Sequence, residues 1–181
     1  MFSEGMFSLM GIGLLETLYM TIVSTAMAYF FGLPIGMLLA VTDKDGIRPN
    51  ATVNRIVGSI VNVLRSVPFI ILLVAVIPIT RFIAGTSIGS TATIVPLVIA
   101  AAPFVARLVE SSAKEVDRGV IEASLSMGAS TLEVVTKVLL PEAKPSLIVG
   151  AAIATTTILG YSAMSGFVGG GGLGTIAINY G

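Results

Sequence analysis

Residue types that commonly perform chemistry are scarce in this sequence. Its 181 residues include no cysteine, no histidine and no tryptophan. Thiolate and imidazole metal sites, Ser-His catalysis and Cys-His catalysis each need a residue type that the chain lacks, so we predict no catalytic residue and no metal site. An intramembrane hydrolase with paired aspartates or a Ser/Lys pair is disfavoured because the long apolar segments contain neither Asp nor Lys. The net charge of zero argues against nucleic-acid binding.

Two short stretches have spacings that could recognise a ligand or a partner. Gly169–Gly174 satisfies the pattern G-x-G-x-x-G, but a dinucleotide site also needs a preceding strand and a later acidic residue. No lysine follows the glycines, so a phosphate-binding P-loop is excluded as well. We interpret this run either as a plain turn between two spans or as a flexible or tightly turned outer segment near the substrate entry. The second stretch is Gly119–Pro145, which is charged and regularly punctuated.

The elements that position these stretches are apolar segments of membrane-spanning length. The chain is 55% hydrophobic and 11% charged, with a mean hydropathy of +0.99, which predicts an all-α integral membrane protein. No Lys or Arg precedes Lys44, so we expect the first segment to be a spanning helix and not a signal peptide. We predict four complete spans and the truncated start of a fifth after Gly174. The four segments are Gly11–Val41, Ala51–Phe82, Ala92–Val109 and Leu147–Ser165.

The distribution of basic residues predicts the orientation of these spans. Eight of the ten Lys and Arg residues lie in two alternate polar stretches, one after the first segment and one between the third and fourth. Basic residues favour the cytoplasmic side. We therefore expect the N-terminus outside and Gly119–Pro145 in the cytoplasm.

The cytoplasmic stretch has the punctuation of two short helices joined by a sharp turn. Gly128 is placed to end a first helix in a left-handed conformation. Ser130 and Glu133 have the spacing of a capping box for a second helix, which we expect to run over Thr131–Leu140 and to stop at two prolines. The residues with further predicted roles are Glu133 and Lys137 as an exposed ion pair, Leu132, Val135 and Leu139 as an apolar stripe, and Pro141 and Pro145 as the stop.

This pattern leaves two interpretations of the stretch. A hairpin that lies on the membrane surface would usually have a strongly basic polar face. The polar face here mixes Glu122, Glu133 and Glu142 with Lys137 and Lys144. The mixture favours the other interpretation, a docking element for a cytoplasmic partner.

The sequence "EASLSMGASTLEVVTKVLLPEA" resembles the EAA loop of the membrane subunits of ABC importers. Glu122, Ala123, Gly128, Leu140 and Pro141 match that pattern, whereas Ser124 replaces its third small residue. Asp117 stands where the family often has proline. In the family, a coupling helix in this loop sits in a groove of the ATPase subunit. The resemblance assigns that contact to Glu122, Ala123, Ser124, Met127, Gly128, Ala129, Leu140 and Pro141.

The resemblance covers nearly the whole chain and is nearest to the permeases for methionine uptake. It implies one type I ABC importer permease domain over residues 1–181, with a coupling loop at about 110–145. It further implies a homodimer in the bacterial inner membrane, with two ATPase subunits that hold ATP and Mg, an extracytoplasmic substrate-binding protein and surrounding lipid. The permease itself would bind no cofactor and catalyse no reaction. Uptake of another amino acid or small polar solute, and a non-transporting truncated anchor, are the alternatives.

Two polar clusters could line a substrate path, although each has a simpler explanation. Asn62, Arg65 and Ser66 could line the translocation path or the seam of a dimer, but Arg65 could also extend from an interfacial helix toward water. The second cluster occupies the end of the fourth segment, where small residues also favour close helix packing. Its members are Tyr161, Ser162, Met164 and Ser165.

Overall fold

The computed structural model describes residues 4–181, and within that range the chain is helical with no strand. Its helices are connected by short turns, and one π turn and one 3-10 turn interrupt the helical geometry. The α-helices are α1 (Glu4–Thr42), α2 (Ala51–Ser66), α3 (Phe69–Ala75), α4 (Ile77–Ala84), α5 (Ser90–Lys114), α6 (Arg118–Ser126), α7 (Thr131–Val134), α8 (Leu140–Met164) and α9 (Gly172–Tyr180). The π turn is Val135–Leu139 and the 3-10 turn is Ser165–Val168.

Three helical stretches within residues 4–181 are long and apolar enough to cross a membrane: Met6–Thr42, Ser90–Lys114 and Thr131–Val168. The number is four if α2 and α3, which are bent by 102° relative to each other, form one broken span. The segment that we predicted as the second span is therefore not one continuous helix. Pro68 lacks a backbone N–H and disfavours helical geometry at the residue before it, so α2 ends at Ser66. The total of four complete spans stays a prediction.

The second short helix of the cytoplasmic stretch, Thr131–Leu140, was predicted to stop at Pro141 and Pro145, and this prediction is wrong. The helical backbone continues from α7 through the π turn into α8, and both prolines lie within it. The Leu140 N–H donates to the Val135 carbonyl, five residues back. This wider turn comes just before Pro141, whose ring would collide with a carbonyl in regular α-helix.

The π turn also changes which side chains of this helix are buried. Val134 is fully buried and Leu139 is 3% exposed, whereas Leu132 is 72% exposed. The predicted apolar stripe is therefore wrong for Leu132. The two buried side chains are five positions apart because a π turn brings residues i and i+5 to the same side of the helix.

The chain divides into two compact units, and each of the helices α1, α5 and α8 contributes residues to both units. The first contains the part of α1 up to Ala28, together with Ser66–Ala101 and Ala154–Gly181. Its core includes Leu73 and Leu97, and the rings of Phe69 and Tyr161 stack there with centroids 4.5 Å apart.

The second unit contains Tyr29–Arg65 and Ala102–Ile153. Leu39 of α1, Val61 of α2 and Ala106 of α5 form its buried apolar cluster. Gly32 and Gly36, which have the spacing of a GxxxG pair, face α5 at very short range. A Cβ atom on Gly36 would lie 2.6 Å from the Val109 Cβ and would meet the Ala106 carbonyl oxygen. Glycine is needed here because helix backbones approach each other closely.

We expect Gly36→Ala to destabilise the protein by about 1–3 kcal/mol, because the neighbouring carbonyl belongs to a helix and cannot move aside. The matched control is Gly11→Ala on the same helix, where a Cβ atom meets nothing within 4 Å. That control should be neutral or more stable by up to about 1 kcal/mol, since alanine is the better helix former. Thermal unfolding of both variants in detergent measures the difference. Equal midpoints would contradict the close α1–α5 contact.

Candidate functional site

A sharp corner joins α6 to α7. The Asp117 carboxylate accepts a hydrogen bond from the Gly119 N–H at 2.6 Å and caps the start of α6. At the other end, the Gly128 N–H donates to the Leu125 carbonyl at 2.9 Å, and Gly128 has φ +85°. The predicted left-handed glycine stop is confirmed. A side chain is disfavoured at this φ, so glycine suits the position.

The capping box after this glycine is also confirmed. The Glu133 N–H donates to the Ser130 hydroxyl oxygen at 3.3 Å, and the Ser130 N–H donates to the Glu133 carboxylate at 3.0 Å. Lys137 donates to the other carboxylate oxygen at 3.0 Å, as the spacing predicted. These bonds satisfy backbone donors at the start of α7 and hold the corner in one geometry.

The corner exposes large apolar side chains. Met127 is 84% exposed and Leu132 is 72% exposed, and Val120 and Leu125 are also open. Val120 and Leu125 lie on α6, Met127 lies in the turn that follows it, and Leu132 lies on α7. We call Val120, Leu125, Met127 and Leu132 the corner patch.

The residues that the EAA resemblance assigns to the ATPase contact differ in their surroundings. Glu122 and Ala123 are exposed, as are Gly128 and Pro141, whereas Ala129 and Leu140 are half-buried. Ser124 is buried, and its hydroxyl donates to the Val120 carbonyl at 2.8 Å. The small size of Ser124 therefore suits the inner side of α6, whereas Glu122 and Ala123 lie on its exposed side.

A cleft of about 290 Å³ lies beside α6 in the second unit. Its walls include Glu122 and Leu125 of α6, Lys114 at the end of α5, and Asp43 and Asp45 in the turn after α1. Lys114 forms ion pairs with Asp43 and with Glu110, each at 2.7 Å. Sequence reasoning missed this network. The spacing of Arg107, Glu110 and Lys114, which places them on one side of a helix, was the available signal.

The first predicted substrate-path cluster is partly engaged in contacts within the chain. The Asn62 side-chain oxygen accepts a hydrogen bond from Arg107 at 2.8 Å. Arg65 is exposed, and its guanidinium lies 5.9 Å from the centre of the Phe104 ring. Ser66 is exposed at the last position of α2. Asn62 thus positions Arg107 in this structure.

The second cluster lies in the first unit. Tyr161 stacks on Phe69, and Ser162 and Ser165 are buried with their hydroxyls bonded to carbonyls of the preceding turn. Only Met164, 44% exposed, is a large open side chain of this cluster.

The glycine run is a tightly bonded turn, and its partners include two residues that sequence reasoning missed. Glu16 accepts a hydrogen bond from the Gly172 N–H at 2.6 Å, and the Thr17 hydroxyl oxygen accepts one from the Leu173 N–H at 3.0 Å. These side chains of α1 cap the start of α9, and Gly171 and Gly172 have positive φ. An acidic residue within the first apolar segment was the signal, because a charge there is costly unless it has a partner.

No group of three or more His, Cys, Asp or Glu side chains that could hold a metal ion occurs in the part of the chain that the structure describes. The described residues instead include apolar helices, a capped corner with exposed apolar side chains, and a bonded glycine turn.

The profile of the family described as binding-protein-dependent transport system inner membrane component matches residues 32–180. The chain belongs to this family: it is an ABC-transporter permease subunit with the all-helical type I fold and is not itself an enzyme.

Several named relatives are similar over most of the chain. The D-methionine transport system permease protein MetI of Escherichia coli (strain K12) is 54% identical over 91% of this chain and 76% of its own length. The probable D-methionine transport system permease protein MetI of Vibrio cholerae serotype O1 is 52% identical over 92% of this chain and 74% of its own.

Solved structures agree with this likeness. A chain of the MetNI methionine ABC transporter, described in inward-facing conformations, superposes with a TM-score of 0.97 at 54% identity, covering 99% of this chain and 83% of that one. A chain of an amino acid ABC transporter structure matches at a TM-score of 0.72 and 23% identity, covering 96% of this chain and 78% of that one, and supports the fold alone.

We expect Thr17→Val to lower the free energy of unfolding by about 1–2 kcal/mol, because it leaves a donor at the start of α9 without its cap. Thr25→Val on the same helix is the matched control. Both hydroxyls donate to a carbonyl four residues back, Thr17 to Gly13 and Thr25 to Thr21. Thermal unfolding in detergent compares them, and an equal loss in both variants would argue against the capping role.

Proposed function

We propose that this chain is the membrane subunit of an ATP-driven importer that takes up methionine, in the L form, the D form or both. The observation that carries the proposal is the identity of 54% over 91% of the chain with a D-methionine transport permease. The Gly128 turn and the Ser130–Glu133 capping box support docking of a partner at the corner that resembles the EAA loop. In this proposal two copies of the chain pair, two ATPase subunits bind them, and a substrate-binding protein delivers methionine from outside.

The proposed mechanism is alternating access coupled to ATP in the partner subunits. The ATPases hold ATP and Mg, and their closure displaces the corner as a rigid body. The displacement biases the permease only if the ATPase contacts differ between its two states. The Gly128 turn and the Ser130–Glu133 capping box support rigidity, and the corner patch supplies apolar area for docking. The residues proposed to make the contact are Glu122, Ala123, Ser124, Met127, Gly128, Ala129, Leu140 and Pro141.

The proposed orientation places the corner in the cytoplasm and the N-terminus outside, in the bacterial inner membrane. The concentration of basic residues in two alternate polar stretches supports it. The side chains proposed along the substrate path remain Asn62, Arg65, Ser66, Tyr161, Ser162, Met164 and Ser165. Among them, the exposed thioether of Met164 would suit an apolar amino-acid side chain.

The proposal predicts ATP-dependent methionine uptake. The chain is expressed with its cognate ATPase and binding protein in cells that lack a methionine importer, and accumulation of labelled methionine is measured with unlabelled D- and L-methionine as competitors. We expect uptake that stops when the ATPase is inactivated. If the ATPase co-purifies with the chain but the complex takes up a different solute, that solute replaces methionine as the proposed substrate. Co-purification with no uptake would indicate an anchor, and no co-purification would overturn the proposal.

We expect Gly128→Pro to abolish coupling while membrane insertion persists. Proline fixes φ near −65° and has no N–H, whereas Gly128 has φ +85° and donates to Leu125. The readout is ATP hydrolysis by the assembled complex without methionine uptake. Gly128→Asn is the control because asparagine tolerates the left-handed conformation, and it should retain most uptake. Normal uptake by the proline variant would refute the coupling role of this corner.

A further inference from the structure

The turn that follows α1 is tied by ion pairs to the junction between α5 and α6. We propose that the turn, residues 43–47, is a second support for α6, and that Lys114 is the positioning residue that joins this turn to α5. The inference rests on the proposed function, in which α6 receives the motion of the ATPase. It adds a part of the chain outside the EAA-like loop to the coupling apparatus.

Lys114 lies between two carboxylates. Its ammonium is 2.7 Å from an oxygen of Asp43 in the turn and 2.7 Å from an oxygen of Glu110 on α5. Glu110 is 7% exposed, and its second oxygen pairs with Arg107 at 2.5 Å. A buried carboxylate needs its partners, and removing one leaves an uncompensated charge. Lys114 is therefore held from two sides.

The same network reaches α2. Arg107 donates to the Gly58 carbonyl at 3.1 Å and to the Asn62 side chain at 2.8 Å. Polar contacts thus run from α2 through the end of α5 to the turn. A displacement of the end of α5 is expected to move both neighbours, because the buried Glu110 carboxylate joins Arg107 to Lys114 and would be stranded if it lost them.

The turn itself is built to resist deformation. The Gly46 N–H donates to the Asp43 carbonyl at 2.9 Å, and the Arg48 N–H donates to the Val41 carbonyl at 3.0 Å. Asn54 of α2 donates to the Leu39 carbonyl at 2.8 Å and fixes the end of α1. The hydrogen bond from Lys114 holds the pKa of the Asp43 carboxyl below its usual range, so this partner stays charged near neutral pH.

The turn faces α6 across the 290 Å³ cleft. Arg118, the first residue of α6, pairs with Asp45 of the turn at 3.6 Å on the exposed rim. The side chains of Arg118 and Asp45 are 69% and 51% exposed. An ion pair this open to solvent contributes little to stability. Lys114, four residues before Arg118, makes the shorter and more buried contacts, and we therefore assign the positioning role to Lys114.

The test compares Lys114→Gln with Lys114→Arg and with the control Lys44→Gln. Lys44 lies in the same turn, is 86% exposed, and has only a 4.0 Å ion pair with Asp45. ATP hydrolysed per methionine transported is measured in the complete transporter in liposomes, together with the amount of assembled complex. We expect Lys114→Gln to raise this ratio about fivefold or more, a typical coupling between sites. Lys114→Arg should restore it, and the control should match the parent.

A second measurement follows the proposed support directly. Because the chain has no cysteine, spin labels can be placed at Arg48 in the turn region and at Ser126 on α6, both exposed. Their distance distribution in the complete transporter should be narrow in the parent and broader in Lys114→Gln.

The possible outcomes distinguish failure of this inference from failure of the proposed function on which it rests. A parent complex without coupled uptake would overturn both. A working parent, with an unchanged ratio or an unchanged distance distribution in Lys114→Gln, would overturn only the inference. Loss of assembled complex with a normal ratio would also overturn it, because Lys114 would then have only a structural role.

Discussion

The second unit depends on the ion pairs that the buried Glu110 carboxylate makes with its neighbours. Glu110 lies on α5 between Arg107 and Lys114, and each of these cations continues to another element, Arg107 to α2 and Lys114 to the turn after α1. Gly36 also brings α1 into close contact with α5. Because a buried charge tolerates few arrangements of its partners, α5 fixes the positions of its neighbours as well as contributing to the apolar core.

The corner between α6 and α7 obtains its rigidity from short-range bonds, but its mechanical connection comes from the helix that follows. The π turn lets the backbone pass Pro141 without a break, so the corner continues directly into α8. A corner that ended at Pro141 would be hinged to the next span. A continuous helix can instead transmit a displacement along its length, which is what the proposed coupling by rigid-body motion requires.

The first unit depends on a different constraint, the need to satisfy backbone donors where water is scarce. Helix α9 begins without a capping side chain from its own sequence, because glycines precede it. Glu16 and Thr17 of α1 supply the acceptors. The carboxylate also faces the positive end of the helix dipole, which favours an anion at this position. An acidic residue in an apolar segment is thus explained by a helix that starts more than 150 positions later.

The sequence by itself determined the features that depend on neighbouring residues. Gly128, the Ser130–Glu133 capping box and the Glu133–Lys137 pair could all be predicted, because their bonds span at most four positions and glycine is preferred at positive φ. The membrane class followed from apolar length, and the EAA-like spacing pointed to the family. Only the tertiary structure decided the passage of the helix through Pro141, the partners of Lys114 and the cap that Glu16 provides. Whether a proline ends a helix or a charge is buried depends on side chains from distant segments, and no local pattern records them.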